Sequence, residues 1–196
     1  MKKKKQTAPK PPAAARGADI KAPSAAFNGR FLKEPDKITD AASGRTRLMD
    51  AVLSGDTAQA ERLLQSGASI NKTNKEGKTA LHYAARLGHL EMISLLAGYN
   101  AQMNPRDKNL RTPLQDALDA PQPLRIIGAL IKAGADANIA DSTGRLPLHH
   151  AAVSAQNGVV KKLLKHTENP NSPDKKYAQP LHLAAESNGV DVVQTI

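Results

Sequence analysis

One segment, KTALHYAARLGHLEMI at residues 78 to 93, contains residue types that acid–base catalysis and metal binding use. His82, Tyr83, His89 and Glu91 lie within ten positions of each other. Imidazole and carboxylate groups this close together can transfer protons or bind Zn²⁺. Whether they form a chemical site depends on the elements that position them and on whether the pattern recurs along the chain.

Five similar segments recur at nearly constant spacing. They begin at Thr46, Thr79, Thr112, Leu146 and Gln179, separated by 33, 33, 34 and 33 residues. A second set of markers is the asparagine that ends each of the segments GASIN, NAQMN, GADAN and TENPN. These are Asn71, Asn104, Asn138 and Asn171. These asparagines are 33, 34 and 33 residues apart, so both sets place one extra residue in the third unit. We expect Pro121-Gln122-Pro123 to hold that residue in a loop.

The pattern resembles that of ankyrin-repeat proteins, whose unit of about 33 residues combines a T-P-L-H-x-A motif, a β-turn and two helices. The motif is clearest at Thr112-Pro113-Leu114, Pro147-Leu148-His149 and Pro180-Leu181-His182. The resemblance covers about residues 45 to 196 and implies an all-α ankyrin-repeat solenoid of stacked helix-turn-helix units with projecting β-turn tips. Repeats are expected to start near residues 46, 79, 112, 146 and 179, with the last repeat incomplete.

The resemblance also implies structural roles for the histidines. His82, His149 and His182 occupy the motif position at which the ring bonds the Thr hydroxyl and ties adjacent turns together. His89 lies at the turn between the two helices of its repeat, where a ring nitrogen can bond loop backbone groups. Glu91 is predicted to be a solvated residue of the second helix. The cluster at residues 82 to 91 is therefore interpreted as scaffold.

Motifs of catalysis and cofactor binding are absent from the sequence. There is no Cys, which excludes disulfides, thiolate metal sites and a cysteine nucleophile. The patterns G-x-x-x-x-G-K-[ST], G-x-G-x-x-G after a strand, H-E-x-x-H and G-x-S-x-G do not occur. Asp141, Ser142 and His149 fall in turn and motif positions of one repeat, and the pair His149-His150 lacks a third metal ligand. We expect no catalytic, cofactor-binding or metal-binding residues and no enzyme activity.

Several positions depart from the family pattern. Asn100 replaces the Gly that ends a second helix, and Asn tolerates the left-handed conformation. Thr167-Glu168 replaces Gly-Ala, where a left-handed Thr costs about 1 to 2 kcal/mol, so the backbone there must differ or the repeat must be weak. Leu146 and Gln179 lack a capping hydroxyl, whose loss typically costs ~1 kcal/mol. We expect the fourth and fifth repeats to be less stable, and the stop at Ile196 to mark a fragment of a longer array rather than an end covered by a partner or second copy.

Residues 1 to 44 differ in composition from the repeats at 45 to 196. They are rich in Lys, Pro and Ala and lack apolar periodicity, which predicts a disordered tail. The net charge is +10, and residues 1 to 43 carry ten Lys/Arg against four Asp/Glu. Lys2 to Lys5 fit a solvated start, a nuclear-import signal or a patch for anionic surfaces. No apolar run reaches the ~18 residues of a membrane span and no standard signal peptide is present, so we expect a cytoplasmic location, with the nucleus or a host cell as alternatives.

These features favour a protein-protein interaction module or scaffold, in which a rigid stack presents turn tips and inner helices as one concave surface. The expected partner is a protein with an acidic surface, and no cofactor or small molecule is expected. Nucleic-acid binding through the basic tail is the alternative, although residues 44 to 196 carry only eighteen Lys/Arg against fourteen Asp/Glu. A targeting segment of a longer enzyme, or a host-directed bacterial effector, is a further alternative.

Candidate partner-binding residues are predicted at the turns NKEGK, DKNLR, DSTGR and DKKYA and on the first helices of the repeats. Leu110 and Tyr177 stand where the family usually has Gly, which makes them candidate apolar anchors. The acids Asp107, Asp141 and Asp174 are expected to be used on local backbone amides. The predicted set is Lys75, Lys78, Tyr83, Lys108, Leu110, Arg111, Asp116, Arg145, His150, Lys175, Lys176 and Tyr177.

Overall fold

Ten α-helices and one short strand pair make up the part of the chain that a computed structural model describes, residues 34 to 187 and 189 to 196. The disordered tail was predicted for residues 1 to 44, and its residues 1 to 33 lie outside the described part of the chain. The helices follow one another in pairs: α1 (Arg47–Leu53) with α2 (Thr57–Gln65), α3 (Ala80–Leu87) with α4 (Leu90–Gly98), α5 (Pro113–Asp116) with α6 (Pro123–Lys132), α7 (Pro147–Val153) with α8 (Asn157–Leu164), and α9 (Pro180–Glu186) with α10 (Val190–Val193).

The helices form two layers. The first helices of the pairs pack on one another along the chain, and the second helices form a parallel stack behind them. Fully buried alanines such as Ala84, Ala85, Ala151 and Ala152 allow this close approach because they add little side-chain bulk. The predicted solenoid of stacked helix pairs is therefore confirmed. None of the helices in the described residues is long and apolar enough to cross a membrane.

Each first helix begins with a capping arrangement that the motif residues supply. The Thr46 hydroxyl accepts the Met49 amide at 3.3 Å, and His82 Nδ1 accepts the Thr79 amide at 3.0 Å. Leu146 has no hydroxyl, but its backbone amide still donates to His149 Nδ1 at 3.1 Å. The helix start therefore keeps one of its two capping hydrogen bonds when the Thr is lost.

The second helices bury the apolar stripe that the sequence predicts. Met92, Ile126, Val159 and Val192 occupy equivalent positions and are all nearly inaccessible to solvent. In the first repeat the same position is Gln59, which is half-exposed. A polar residue suits that position, because no helix pair precedes α1 and α2 within residues 34 to 187.

The extra residue of the third repeat lies where it was expected. Helix α5 ends at Asp116, a 3₁₀ turn follows at Ala117–Asp119, and α6 starts only at Pro123. The early end of α5 and the connection through residues 120 to 122 absorb the insertion, so the helices on either side keep their place in the two layers.

The loops after the second helices show how Thr167 is accommodated. Asn100 adopts the left-handed conformation with φ 59°, as predicted, whereas Thr167 does not. Its hydroxyl instead donates to the Leu163 carbonyl at 2.9 Å. In the preceding repeats a backbone amide fills that role, for example Ala135 N on Leu130 O at 2.9 Å. The prediction that the backbone differs at this loop is confirmed.

Residues 34 to 46 form a small structured unit in front of the first repeat. Strand β1 (Ile38–Asp40) pairs antiparallel with β2 (Arg45–Thr46), which adds two strands to the predicted all-α fold. The Asp36 carboxylate accepts the Ser69 amide at 2.7 Å and the Ser69 hydroxyl at 2.5 Å. The sequence placed residues 34 to 44 in the tail because this hairpin has no apolar periodicity, and its contacts are polar.

Candidate protein-interaction surface

Each β-turn tip is closed by an acid or amide side chain, as the sequence predicts. Asp107 Oδ1 accepts the amides of Asn109 and Arg111 at 2.8 and 2.9 Å. Asn74, Asp141 and Asp174 make the corresponding pair of bonds in their own turns. Such bonds mimic a further backbone turn and fix the loop without help from the core.

Neighbouring tips are joined by backbone hydrogen bonds at every junction in the described part of the chain. The first residue after each turn acid donates its amide to a carbonyl of the preceding tip, at 2.9 to 3.0 Å. The four bonds are Lys75 N to Ser43 O, Lys108 N to Glu76 O, Ser142 N to Asn109 O, and Lys175 N to Thr143 O. The tips therefore form one continuous row, which starts with the turn Asp40–Gly44.

Four lysines of this row reach solvent. Lys75, Lys108, Lys175 and Lys176 are exposed, and none of them has an ion-pair partner within residues 34 to 187 and 189 to 196. Their positive charges are therefore available to a ligand and screened only by solvent and salt.

Two large apolar side chains stand in the row at positions that favour Gly. Gly77 and Gly144 adopt φ 79° and 82°, and the equivalent residues Leu110 and Tyr177 adopt φ 58° and 64°. A side chain in this left-handed region costs about 1 kcal/mol relative to Gly. Tyr177 is 85% exposed and Leu110 41% exposed, so core packing does not offset that strain.

Three other cations of the predicted partner-binding set form ion pairs with acidic residues of the array. Lys78 Nζ lies 3.4 Å from Asp116 Oδ2, and Arg111 Nε lies 3.2 Å from Asp116 Oδ1. Arg145 Nε donates to Asp174 Oδ2 at 2.9 Å. The turn acid Asp174 thus uses its second oxygen for a charge pair, in addition to the backbone bonds that the sequence predicts.

Asp116 is buried beneath the surface that it was predicted to line. Its side chain is 3% exposed and lies between two cations of adjacent turns. The charge of those cations holds the carboxylate inside the array, so Asp116 positions Lys78 and Arg111 and does not contact solvent.

The other two inner-helix candidates are half-buried. The Tyr83 hydroxyl accepts the side-chain amide of Asn74 at 2.9 Å, and His150 Nε2 lies 2.7 Å from Asp141 Oδ2. Partial burial raises the pKa of Asp141, but the hydrogen bonds from Thr143, from the Arg145 amide and from His150 outweigh it and hold the pKa below its usual value. Both side chains therefore sit beside the row of tips, tied to turn residues.

His82 bridges two repeats, and the histidines of the described residues do not gather into a chemical site. His82 Nδ1 accepts from Thr79 and its Nε2 faces the Arg111 carbonyl of the next turn at 3.2 Å, so Nε2 carries the proton. Burial lowers the pKa of His82 below its ordinary value. His89 Nδ1 donates to Val52 O of the preceding repeat at 2.9 Å. Among the described residues, no three side chains of metal-ligating type come together.

Comparison with known proteins identifies the family of this repeat architecture. The model for ankyrin repeats (3 copies) matches residues 48 to 141 and 120 to 196. The chain belongs to the ankyrin-repeat family. Ankyrin repeats form protein–protein interaction modules and are typically non-catalytic.

Several curated ankyrin-repeat proteins resemble the chain over most of the array. Inversin of Homo sapiens and of Canis lupus familiaris is 37% identical over 155 residues, which is 78% of this chain and 14% of inversin. Ankyrin repeat and SOCS box protein 6 of Mus musculus is 38% identical over 103 residues, which is 52% of this chain and 25% of that protein. The chain therefore spans about a seventh of the inversin length.

Two features of the surface were missed at the level of sequence. The turn Asp40–Gly44 joins the row ahead of the first repeat, and the similarity of DAASGRT to DSTGRLP is the signal that could have revealed it. The pairing of Asp116 with Lys78 and Arg111 was also missed, because Lys78 lies 38 residues away and meets Asp116 only after the repeats stack.

Proposed function

We propose that the array binds an extended, acidic segment of a partner protein along the tip row, defined as its exposed residues Lys75, Lys108, Leu110, Lys175, Lys176 and Tyr177. The observation that carries this proposal is the strained and exposed pair Leu110 and Tyr177. Both side chains cost conformational energy where Gly would fit, and neither is buried. Strain of this kind is retained where it serves a binding site.

The charges of the row supply the preference for an acidic partner. The exposed lysines of the row have no ion-pair partner among the described residues, whereas Lys78, Arg111 and Arg145 are held by acids of the array. Unpaired exposed cations accelerate encounter with an acidic chain, and apolar anchors slow its release. Lys78, Arg111 and Arg145 then act as rigid supports of the row, with Tyr83 and His150 at its inner border.

A peptide selection tests this function and requires no purified partner. Random peptides displayed on phage are selected on the full chain, on the variant K75E/K108E/K175E, and on the control K132E/K161E/K165E. The control makes the same change in net charge at exposed lysines behind the row, on or next to the second helices α6 and α8. We expect the full chain and the control to select acidic peptides, and the tip-row variant to lose them.

The kinetics of a selected peptide separate steering from anchoring. Lys108→Glu is expected to slow association, and Tyr177→Ala to speed dissociation, because exposed charges act before contact and apolar anchors act after it. Equal losses in the tip-row variant and the control would show that only net charge matters. Retention of the peptide in both variants would place binding elsewhere.

A further inference from the structure

The tip at Asp141 breaks the pattern of the row. Among the four turns at Asn74, Asp107, Asp141 and Asp174, the residue after the first turn residue is Lys75, Lys108 and Lys175 in three, and Ser142 in the turn at Asp141. Where a fourth lysine would lie, the surface has a shallow depression of about 350 Å³. Its lining residues, here named the tip pocket, are Ser142, Thr143, Arg145, Asp174, Lys175 and Lys176.

Part of the tip pocket is already satisfied by internal hydrogen bonds. Arg145 and Asp174 bind each other at 2.9 Å, and Asp174 Oδ1 also accepts two backbone amides of its own turn. The Thr143 hydroxyl donates to Asp141 at 2.6 Å. The Asp174 carboxylate and the Thr143 hydroxyl are therefore occupied, and Arg145 uses its Nε for the ion pair with Asp174.

The remaining groups are donors without partners. The Ser142 hydroxyl and the ammonium groups of Lys175 and Lys176 make no hydrogen bond or ion pair with any described residue. The Ser142 and Lys175 amides are both used in the bonds between tips, so only side chains are available for binding. A hydroxyl and two ammonium groups around one depression match a ligand that is anionic and accepts hydrogen bonds.

We propose that the tip pocket is a subsite for one anionic side chain of the bound segment, either a carboxylate or a phosphorylated Ser or Thr. This inference deepens the function proposed for the tip row and rests on it. The Lys175 and Lys176 ammonium groups neutralise the anion, and the Ser142 hydroxyl donates to it. Ser at position 142 leaves room for the side chain, which a lysine there would occupy.

The first test is an NMR titration of the ¹⁵N-labelled full chain with short capped peptides. The probes are acetyl-Gly-Glu-Gly-amide, its phosphoserine analogue and its neutral Gln analogue. We expect the two anionic peptides, or only the phosphoserine peptide, to shift the amides of residues 142, 143, 175 and 176. The variant K175Q/K176Q should weaken binding about tenfold, as expected for lost charge-assisted hydrogen bonds, and K75Q/K108Q less than about twofold.

Absence of these shifts with both anionic peptides, or equal shifts with the neutral peptide, would overturn the subsite. The peptide selection on the tip row is independent of this result, because its charge-reversal variant also removes Lys75 and Lys108, which do not line the pocket. The function and the subsite can therefore fail separately.

Ser142→Lys separates a shaped subsite from general charge attraction. The variant adds a cation to the row, so simple electrostatics predicts tighter binding of an anionic peptide. The tip pocket predicts the opposite, a loss of at least about threefold, because the new side chain fills the depression and removes the hydroxyl donor. Unchanged or tighter binding, with an unchanged melting temperature, would show that the depression does not hold the anion.

Discussion

At the scale of single residues, the side chains that looked reactive serve as connectors between repeats. His82, His89 and Asp116 each bond a group of another repeat. The roles of the histidines could be predicted from sequence because each follows from one recurring position. The role of Asp116 could not, because its two cations lie in different turns and meet only after the repeats stack.

His82 makes stability depend on pH. Burial lowers its pKa below the ordinary value of about 6.5, so the neutral ring stabilises the fold above that pH, and stability falls as pH drops below about 6.5. Gln115, the equivalent residue of the next repeat, makes the same two bonds without a titrating group, at 3.0 and 2.9 Å. We expect His82→Gln to retain stability at neutral pH and to reduce the loss of melting temperature in acid.

The matched control is His82→Ala. It leaves the Thr79 amide without its acceptor and removes one of the two hydrogen bonds to the Arg111 carbonyl, which keeps the Asp107 amide. The change should cost about 1 to 3 kcal/mol at neutral pH, measured by urea unfolding. The same pH dependence of melting in the Gln variant and the unmodified chain would contradict the account of His82.

Asp116 is expected to stabilise the array through two cations. Asp116→Ala should lower the free energy of unfolding by about 3 kcal/mol, because Lys78 and Arg111 would lose the charge that compensates their burial. Asp119→Asn removes an exposed partner of Arg111 and should cost less than about 0.5 kcal/mol. If both variants lowered the free energy of unfolding equally, the buried ion pairs of Asp116 would contribute no more stability than the exposed pair of Asp119.

At the scale of elements, the positions of helix pairs and loops could be predicted from the repeat period. Where the sequence departs from that period or from the family pattern, the local backbone or a side-chain hydrogen bond adjusts and the neighbouring helices keep their places. The insertion was predicted at residues 121 to 123 from the two sets of markers, and the altered loop at Thr167 from the replacement of Gly-Ala by Thr167-Glu168. Pro123 of the predicted loop is the first residue of α6. The pairing of β1 with β2 was not, because a hairpin of polar residues leaves no apolar period to detect.

Thr167 offers a test of this compensation. The Leu163 carbonyl accepts the His166 amide at 2.8 Å and the Thr167 hydroxyl at 2.9 Å, and the hydroxyl takes the place of a backbone amide such as Ala68 N on Leu63 O. Thr167→Val keeps the shape and removes the donor, and we expect a loss of about 1 kcal/mol in the free energy of unfolding. Thr167→Ser retains the hydroxyl and serves as the control. Equal stability of the Val and Ser variants would contradict the role of this bond.

At the scale of the whole molecule, the solenoid presents a continuous row of tips, in which each tip is joined to the preceding one by a backbone hydrogen bond. The backbone bonds between tips, absent from any sequence pattern, align the exposed lysines with Leu110 and Tyr177. The sequence could indicate which residues lie at tips. It could not indicate which of the cations are already paired, because that depends on side-chain contacts across repeats.

The most direct test of the tip row compares stability and binding in the variant L110G/Y177G. Gly relieves the left-handed strain, so the account predicts a free energy of unfolding that is unchanged or higher, by up to about 1 kcal/mol per site. The same variant should bind a selected acidic peptide at least about tenfold more weakly, as expected when apolar anchors are removed. Unchanged peptide affinity in the folded variant would contradict the claim that these side chains are retained for binding.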